Sequence, residues 1–332
     1  MAEYQFTLEP FSPAILDAYR AFPTVLDQSA EKIAWKFEQC PFGRGLAMVV
    51  RDEAGAVVGM NVYQAVVIRS SDDRTLAGHQ SMDTVVSEAA RGQGLFTRMY
   101  NAYYDQTRAD FVYGFPNSNS AHGFFTKLGW TRFGTVPMRI KPLRTGFIAR
   151  RLKLGALDFV LPRFRRASGT SSEFTSFGEA HGDNWRKMLA RRPGIWGLDR
   201  SVDYLNWRYP DHPDNRYRLH GRADGSFVVS AILDKHDARI LYVMEAIGEH
   251  DTLADMLREI HDDGARQGAE LALIWSGERA PLAGVFGSAG YHYFPDRLRS
   301  NQINFGARIF ISGRAPRTRD EWFLSYSDSD TV

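Results

Sequence analysis

Residues 84–96 read Thr-Val-Val-Ser-Glu-Ala-Ala-Arg-Gly-Gln-Gly-Leu-Phe, so an arginine and two glycines stand between an alternating apolar run and a helix-spaced one. A strand that ends at Val86 and a helix that begins after Gly94 leave backbone N–H groups at the helix start without intrahelical acceptors. Those donors, the positive end of the helix dipole, two glycines that permit close backbone approach and the charge of Arg91 together make an anion site suited to a pyrophosphate. Other reactive residue types are sparse. Cys40 is the single cysteine, which excludes an internal disulfide and a cysteine-cluster metal site. The histidines show no metal-ligand spacing, so no metal is expected. With no base near it in sequence, Cys40 reads as structural.

Periodicity supplies the elements that must position this turn. A short strand over Tyr4–Leu8 is followed by helices over Pro13–Arg20 and Gln28–Gln39. The period then drops to two over Leu46–Val50, Val57–Ile68 and Leu76–Val86, which predicts a meander of antiparallel strands. Leu95, Phe96, Met99, Tyr100 and Tyr103 share a helical face up to about Arg108. Next come a buried strand at Phe111–Phe115, a short helix over about Ser120–Lys127 and Gly129 as its stop. A shift of 161 residues lays this pattern on the second half: Leu128-Gly129-Trp130 falls on Ala289-Gly290-Tyr291, and the helix after Gly94 falls on Met256–Gln267. The fold class expected is mixed α/β, a mostly antiparallel twisted sheet with flanking helices, duplicated with a degenerate second copy.

The chain has 332 residues and a formal net charge of +2, which allows two domains and gives no bulk basic surface for coating DNA. It shows neither an N-terminal signal pattern nor a run of about 18 apolar residues, so no membrane span is expected and the cytoplasm is the default location. Arg139–Arg166 carries nine basic residues against one acid, Asp158, interleaved with Ile148, Leu152, Leu154, Leu157 and Val160. This amphipathic stretch either packs on its own domains or lies on an anionic surface. The expected division is a catalytic domain over 1–140, the basic connection over 141–170, a divergent domain over 171–315 and a C-terminal tail over 316–332, whose short polar end, Asp328–Val332, is expected to fray. Tyr204, Trp207, Tyr209 and His212 form either a sugar-stacking wall or core packing.

The motifs at Val85-Val86, Arg91-Gly92-Gln93-Gly94-Leu95-Phe96 and Phe111–Trp130, in that order, resemble the GNAT superfamily of N-acetyltransferases. Gly114-Phe115-Pro116-Asn117 with Ser120, and Tyr204–Tyr209, also resemble a bacterial branch found around polysaccharide biosynthesis. The resemblance covers the first half well and the second as a degenerate copy. It implies that acetyl-CoA places its pyrophosphate on the N–H groups of Arg91, Gly92, Gln93, Gly94, Leu95 and Phe96. The backbone of Val85 and Val86 would run beside the pantetheine arm as though it were a further strand. Asn117 would hydrogen-bond the cofactor or the acceptor. Many members carry a tyrosine on the short helix to protonate the leaving thiolate, and here the matching position is Phe125.

Acyl transfer to an amine needs a base, because an ammonium cannot attack a thioester. Asp83 and His79, four residues apart and so expected on one side of their strand, are candidates, with His122 on the short helix as a third. The implied activity is an N-acetyltransferase acting on a small primary amine, with an amino-sugar as the acceptor that the polysaccharide-branch likeness favours. Alternatives are a longer acyl chain, tRNA-dependent aminoacyl transfer, or a non-catalytic acyl-CoA sensor. The acidic turn Gly248-Glu249-His250-Asp251 is expected to exclude CoA from the second copy, and a fragment ending near Arg144 is expected to keep cofactor binding.

Overall fold

The computed structural model describes residues 3–23, 28–153, 158–161, 170–214, 216–299 and 302–329, apart from the side chains of residues 148 and 151. The first half runs β1 (Gln5–Pro10), α1 (Pro13–Arg20), α2 (Ala30–Phe37), β2 (Leu46–Arg51), β3 (Val57–Ser70), β4 (Thr75–Val86), α3 (Leu95–Gln106), β5 (Phe111–Gly114), α4 (Ser118–Lys127), β6 (Thr131–Thr135) and β7 (Met138–Pro142). Local chemistry sets several of these ends. Ser12 caps α1 by accepting the Ile15 N–H (3.4 Å), with Pro13 at the first helical position. Ser29 caps α2 through the Lys32 N–H (3.1 Å). Gly129, at φ +68°, takes the left-handed conformation that ends α4.

The second half runs α5 (Gly146–Arg151), β8 (Ser172–Glu173), α6 (Glu179–Ala190), β9 (Trp196–Leu198), α7 (Val202–Arg208), β10 (Arg218–Gly221), β11 (Phe227–Lys235), β12 (Ala238–Ile247), α8 (His250–Arg266), β13 (Leu271–Trp275), α9 (Ala283–Ser288), β14 (His292–Tyr293), β15 (Asn304–Ile309) and β16 (Trp322–Phe323).

One sheet has the order β1-β2-β3-β4-β5-β15-β6, with β9 on the end of β3 and β16 on β9. The other has the order β8-β10-β11-β12-β13-β7-β14. The two orders correspond element for element, and in each the last strand but one comes from the other half of the chain. β15 fills the place between β5 and β6, and β7 fills the place between β13 and β14. A linear division at residue 140 therefore does not describe the sheets, because it cuts through β7, which belongs to the second sheet, and leaves β15 of the first sheet on its far side. The 161-residue repeat is visible in the ends of the pivotal strands, Val86 for β4 and Ile247 for β12. It breaks at the next helix: α8 starts at His250, earlier than expected, and has 17 residues where α3 has 12.

On one face of the first sheet α1 and α2 bury Phe11, Ile15, Tyr19, Ile33 and Phe37 against Met60, Val62 and Val85. On the other, α3 and α4 bury Met99, Tyr100, Tyr103 and Phe124 against Met48, Val50, Tyr63 and Val112. A third cluster, containing Trp35, Trp185, Trp196, Trp207 and Trp275, is continuous through both halves. Tyr204, Trp207, Tyr209 and His212 are all buried, so core packing is the correct one of their two readings.

Of the end expected to fray, Asp328 and Ser329 are instead buried, and 330–332 lie outside the described residues; before it, β16 pairs with β9 and Ser325–Ser327 are buried. In the basic connection Arg144 pairs with Asp158 (2.9 Å) and Arg150 with Glu270 (2.7 Å), while Leu152 and Phe159 are exposed. Leu154, Leu157, Arg163, Arg165 and Arg166 lie outside the described residues.

Candidate active site

β4 and β5 are parallel neighbours over Gly78–Gln80 and Phe111–Tyr113, and no further. β4 continues to Val86, held on its other edge by β3 through Asn61, Met60 and Gly59. β5 stops at Gly114, and Pro116 has no N–H to extend it. The edge of β4 over 83–86 is thus left without a strand partner on the β5 side. The splay opens a cleft of about 800 Å³ bounded by β4, β5, α3 and α4. A Cβ on Gly114 would stand 3.2 Å from the Ser81 carbonyl oxygen and 3.5 Å from the Trp130 ring, so the cleft closes tightly at its inner end.

At the outer end lies the arginine-glycine turn. Gly92 and Gly94 have φ of +79° and +69°, conformations that favour glycine, and a Cβ on either would meet nothing within 4 Å. Gly94 is the N-cap of α3 and supplies no side-chain cap. The Arg98 N–H bonds the Gly94 carbonyl (3.2 Å), so the N–H groups of Leu95, Phe96 and Thr97 have no helical acceptor. Leu95 is buried and anchors the turn from below, while Arg91 and Phe96 line the cleft. Across from them Asn117 caps α4, its side-chain oxygen accepting the N–H groups of Asn119 and Ser120 (both 3.0 Å). That use of Asn117 Oδ1 leaves its amide N–H groups to face the cleft.

Of the expected residues, Asp83, Val85, Val86, Arg91, Gly94, Phe96, Asn117 and His122 line one cleft, and Gly92 and Gln93 are exposed on the same turn. His79 does not belong with them. The register between β3 and β4 shifts between Asn61 and Tyr63, a β-bulge that sets Met82 and Asp83 opposite Val62 alone. The extra residue reverses the alternation, so His79 and Asp83 leave the strand on opposite faces. His79 Nδ1 meets the Tyr103 hydroxyl (2.8 Å) on the α3 face, and burial pushes its pKa down to about 4. Asp83 Oδ2 instead accepts the hydroxyl of Tyr19 from α1. His122 is exposed at the rim, on α4.

The bulge has its own supports, which periodicity does not reveal. The Asn61 side-chain amide donates to the Asp83 carbonyl (3.1 Å), to Thr84 Oγ1 (2.8 Å) and to the Tyr100 hydroxyl (3.1 Å). Tyr100 also meets Ser81 Oγ (2.6 Å), and burial pushes its phenol up to about 12. Tyr100 could have been noted from its place on the α3 face. Tyr19, 64 residues from Asp83, carried no signal.

The corresponding splay in the second half is filled. β12 and β13 pair over Ile240–Tyr242 and Leu271–Leu273, then part as β4 and β5 do. Phe323, Leu324 and Ser325 enter the gap beside Glu245 and Trp275 and leave about 10 Å³. The Tyr326 ring lies 4.7 Å from that of Trp275. Fully buried Arg200 ties the segment down, bonding Glu245 (3.0 Å), Asp328 (2.7 Å), Ser325 (2.9 Å) and Ser327 (3.0 Å). Burial among these groups pushes the Asp328 carboxyl up to about 6. The turn before α8 differs as well, since two residues replace the eight between β4 and α3. Glu249 there pairs with Arg191 (2.5 Å).

No family model and no curated protein matches this sequence. Solved structures match it at low identity. A GCN5-related N-acetyltransferase from Anabaena variabilis is 12% identical, with a TM-score of 0.61 over 92% of this chain and 73% of that one. The GCN5-related glucosamine N-acetyltransferase region of a fungal multi-domain GH3 β-N-acetylglucosaminidase is 14% identical, with a TM-score of 0.52 over 93% of this chain and 38% of that one. The N-myristoyltransferase of Saccharomyces cerevisiae, solved with myristoyl-CoA bound, is 9% identical, with a TM-score of 0.52 over 92% of this chain and 83% of that one. The chain has the fold of the GCN5-related N-acetyltransferases.

Proposed function

We propose that the chain is an N-acyltransferase that moves an acetyl group from acetyl-CoA to a primary amine in the first-half cleft. The observation that carries this reading is the opening of the β4–β5 splay onto the free N–H groups that follow Gly94. One cleft then offers a strand edge to the pantetheine amides and, farther out, donors and Arg91 to a pyrophosphate. An acetyl group suits the tight inner end at Gly114, behind which Tyr113, Phe115 and Phe305 pack against one another.

Asp83 is the base in this account. It takes the proton of the amine as the new C–N bond forms and the C–S bond breaks. The unpaired N–H groups of the β4 edge stand ready for the thioester oxygen as negative charge gathers there. Phe125 leaves no tyrosine at its position, and its ring lies by the Arg132 guanidinium (5.7 Å). The leaving CoA thiolate is weakly basic enough to depart without one. His122, at the rim, is the second candidate for handling the proton.

The acceptor is read as an amino-sugar, in keeping with the motif likeness and with the glucosamine N-acetyltransferase region among the similar structures. It would approach from the side where the halves meet. Met82 borders both the cleft and a cavity of about 30 Å³ walled by Lys32, Trp207 and Arg208. Burial pushes the Cys40 thiol up to about 11, which suits a cytoplasmic protein with an inert cysteine. No helix among the described residues is long and apolar enough to cross a membrane.

Release of CoA thiol, measured across a panel of amines that includes glucosamine, tests the proposal. Turnover of acetyl-CoA with at least one amine is expected. Binding without turnover of any amine would mark a sensor, and turnover restricted to long-chain acyl-CoA would favour the longer-acyl reading.

A further inference from the structure

Tyr19 has a completely buried ring, yet its hydroxyl reaches the β4 edge. The ring is held edge-on by Phe11 (6.3 Å between centroids) and Phe37 (6.4 Å), so the hydroxyl has a fixed position. It donates to Oδ2 of Asp83, while no hydrogen bond among the described residues occupies Oδ1. The carboxylate is thus anchored by one oxygen, and the other remains available.

We propose that Tyr19 is a positioning residue, whose hydroxyl holds Asp83 with Oδ1 free to take the proton of the acceptor amine. The proposal rests on the reading of Asp83 as base. Two features make the pair more than a fold contact. The β-bulge at Met82–Asp83 turns Asp83 to the α1 face, where the Tyr19 hydroxyl reaches it. Asp83 itself lines the cleft, so the carboxylate that Tyr19 holds borders the space an amine would occupy. The proton balance closes within the site. The amine proton passes to Oδ1 as the C–N bond forms, the thioester C–S bond breaks with its electron pair on sulfur, and Tyr19 keeps its own proton throughout.

Among the described residues, Asn61 of β3 bonds the Asp83 main-chain carbonyl, and Tyr100 of α3 lies beyond the bulge. Arg91, His122 and Lys127 line the same cleft. None of these groups bonds the Asp83 carboxylate, and among the described residues Tyr19 is its direct hydrogen-bond partner.

The test compares kcat for the amine and KM for acetyl-CoA in Tyr19→Phe and Asp83→Asn proteins, with thermal melting as a control. Tyr19→Phe keeps the ring between Phe11 and Phe37 and removes the hydroxyl. Its kcat should fall roughly tenfold with KM for acetyl-CoA unchanged. Asp83→Asn should lose roughly 100-fold or more in kcat. A wild-type kcat in Tyr19→Phe, beside an inactive Asp83→Asn, would overturn the role of Tyr19 and leave the base in place. Full activity of Asp83→Asn would overturn both. A lower melting temperature with kcat unchanged would make Tyr19 structural and also overturn the proposal.

Discussion

Trp35 and Trp207 stack with ring centroids 4.4 Å apart and planes 12° apart, and each indole N–H donates to the main-chain carbonyl of the other (2.9 and 3.0 Å). One ring stands on α2 and the other on α7, so this reciprocal pair fastens the first half to the second next to the cavity that Met82 borders. Both rings are buried, which leaves no face for stacking on a sugar. Trp207→Ala should lower stability by about 3 to 5 kcal/mol, as loss of a large buried aromatic does. Urea unfolding gives the value, and a loss below about 1 kcal/mol would show that the pair is incidental.

The strand exchange makes the halves interdependent. A Cβ on Gly306 would lie 2.5 Å from the Phe125 ring and 2.7 Å from the Thr131 carbonyl oxygen, so Gly306→Val should force β15 away from β6. The fragment ending near Arg144, expected from the sequence to keep cofactor binding, lacks the strand that stands between β5 and β6. It should show a broad, uncooperative unfolding transition. A sharp transition with acetyl-CoA bound would mean that β6 can close on β5 unaided.

Much of the site was legible because its signals are local. The turn at Arg91–Gly94 announces itself through glycines that take positive φ, the α3 face through Leu95, Met99 and Tyr103, and the end of α4 through Gly129. Asn117 lay at the expected place because capping is a short-range matter. What failed was set by pairing across the chain. A period of two is the same in whichever sheet a strand lies, so nothing in Met138–Pro142 or Asn304–Ile309 announces the exchange. The bulge that parts His79 from Asp83 depends on register against β3. The tail read as fraying because its charges were judged alone, while Asp328 meets Arg200 in the core.

His79 supplies a pH test of that bulge. Its folded pKa, about 4, lies below the ordinary value of 6.5 because burial disfavours the imidazolium. The unfolded chain therefore takes up a proton first as pH falls through 6.5, and the contribution of neutral His79 to stability is progressively lost down to about pH 4. Between pH 7 and pH 5 this is about 2 kcal/mol. His79→Gln should remove that part of the acid sensitivity, read as the difference in urea midpoint between the two pH values, and should leave turnover intact. A loss of activity of about 100-fold with unchanged acid sensitivity would return His79 to the list of bases.

The central claim is that the first-half splay, and not its filled counterpart, is the acyl-CoA site. Calorimetric titration of the folded chain with acetyl-CoA tests it most directly, with the Gly94→Val protein titrated in parallel. A valine at φ +69° would strain the turn and place its side chain where a pyrophosphate must approach. The account predicts one site per chain, and loss of that binding in a Gly94→Val protein that still melts cooperatively. Two equivalent sites, or undiminished affinity in the folded variant, would contradict it.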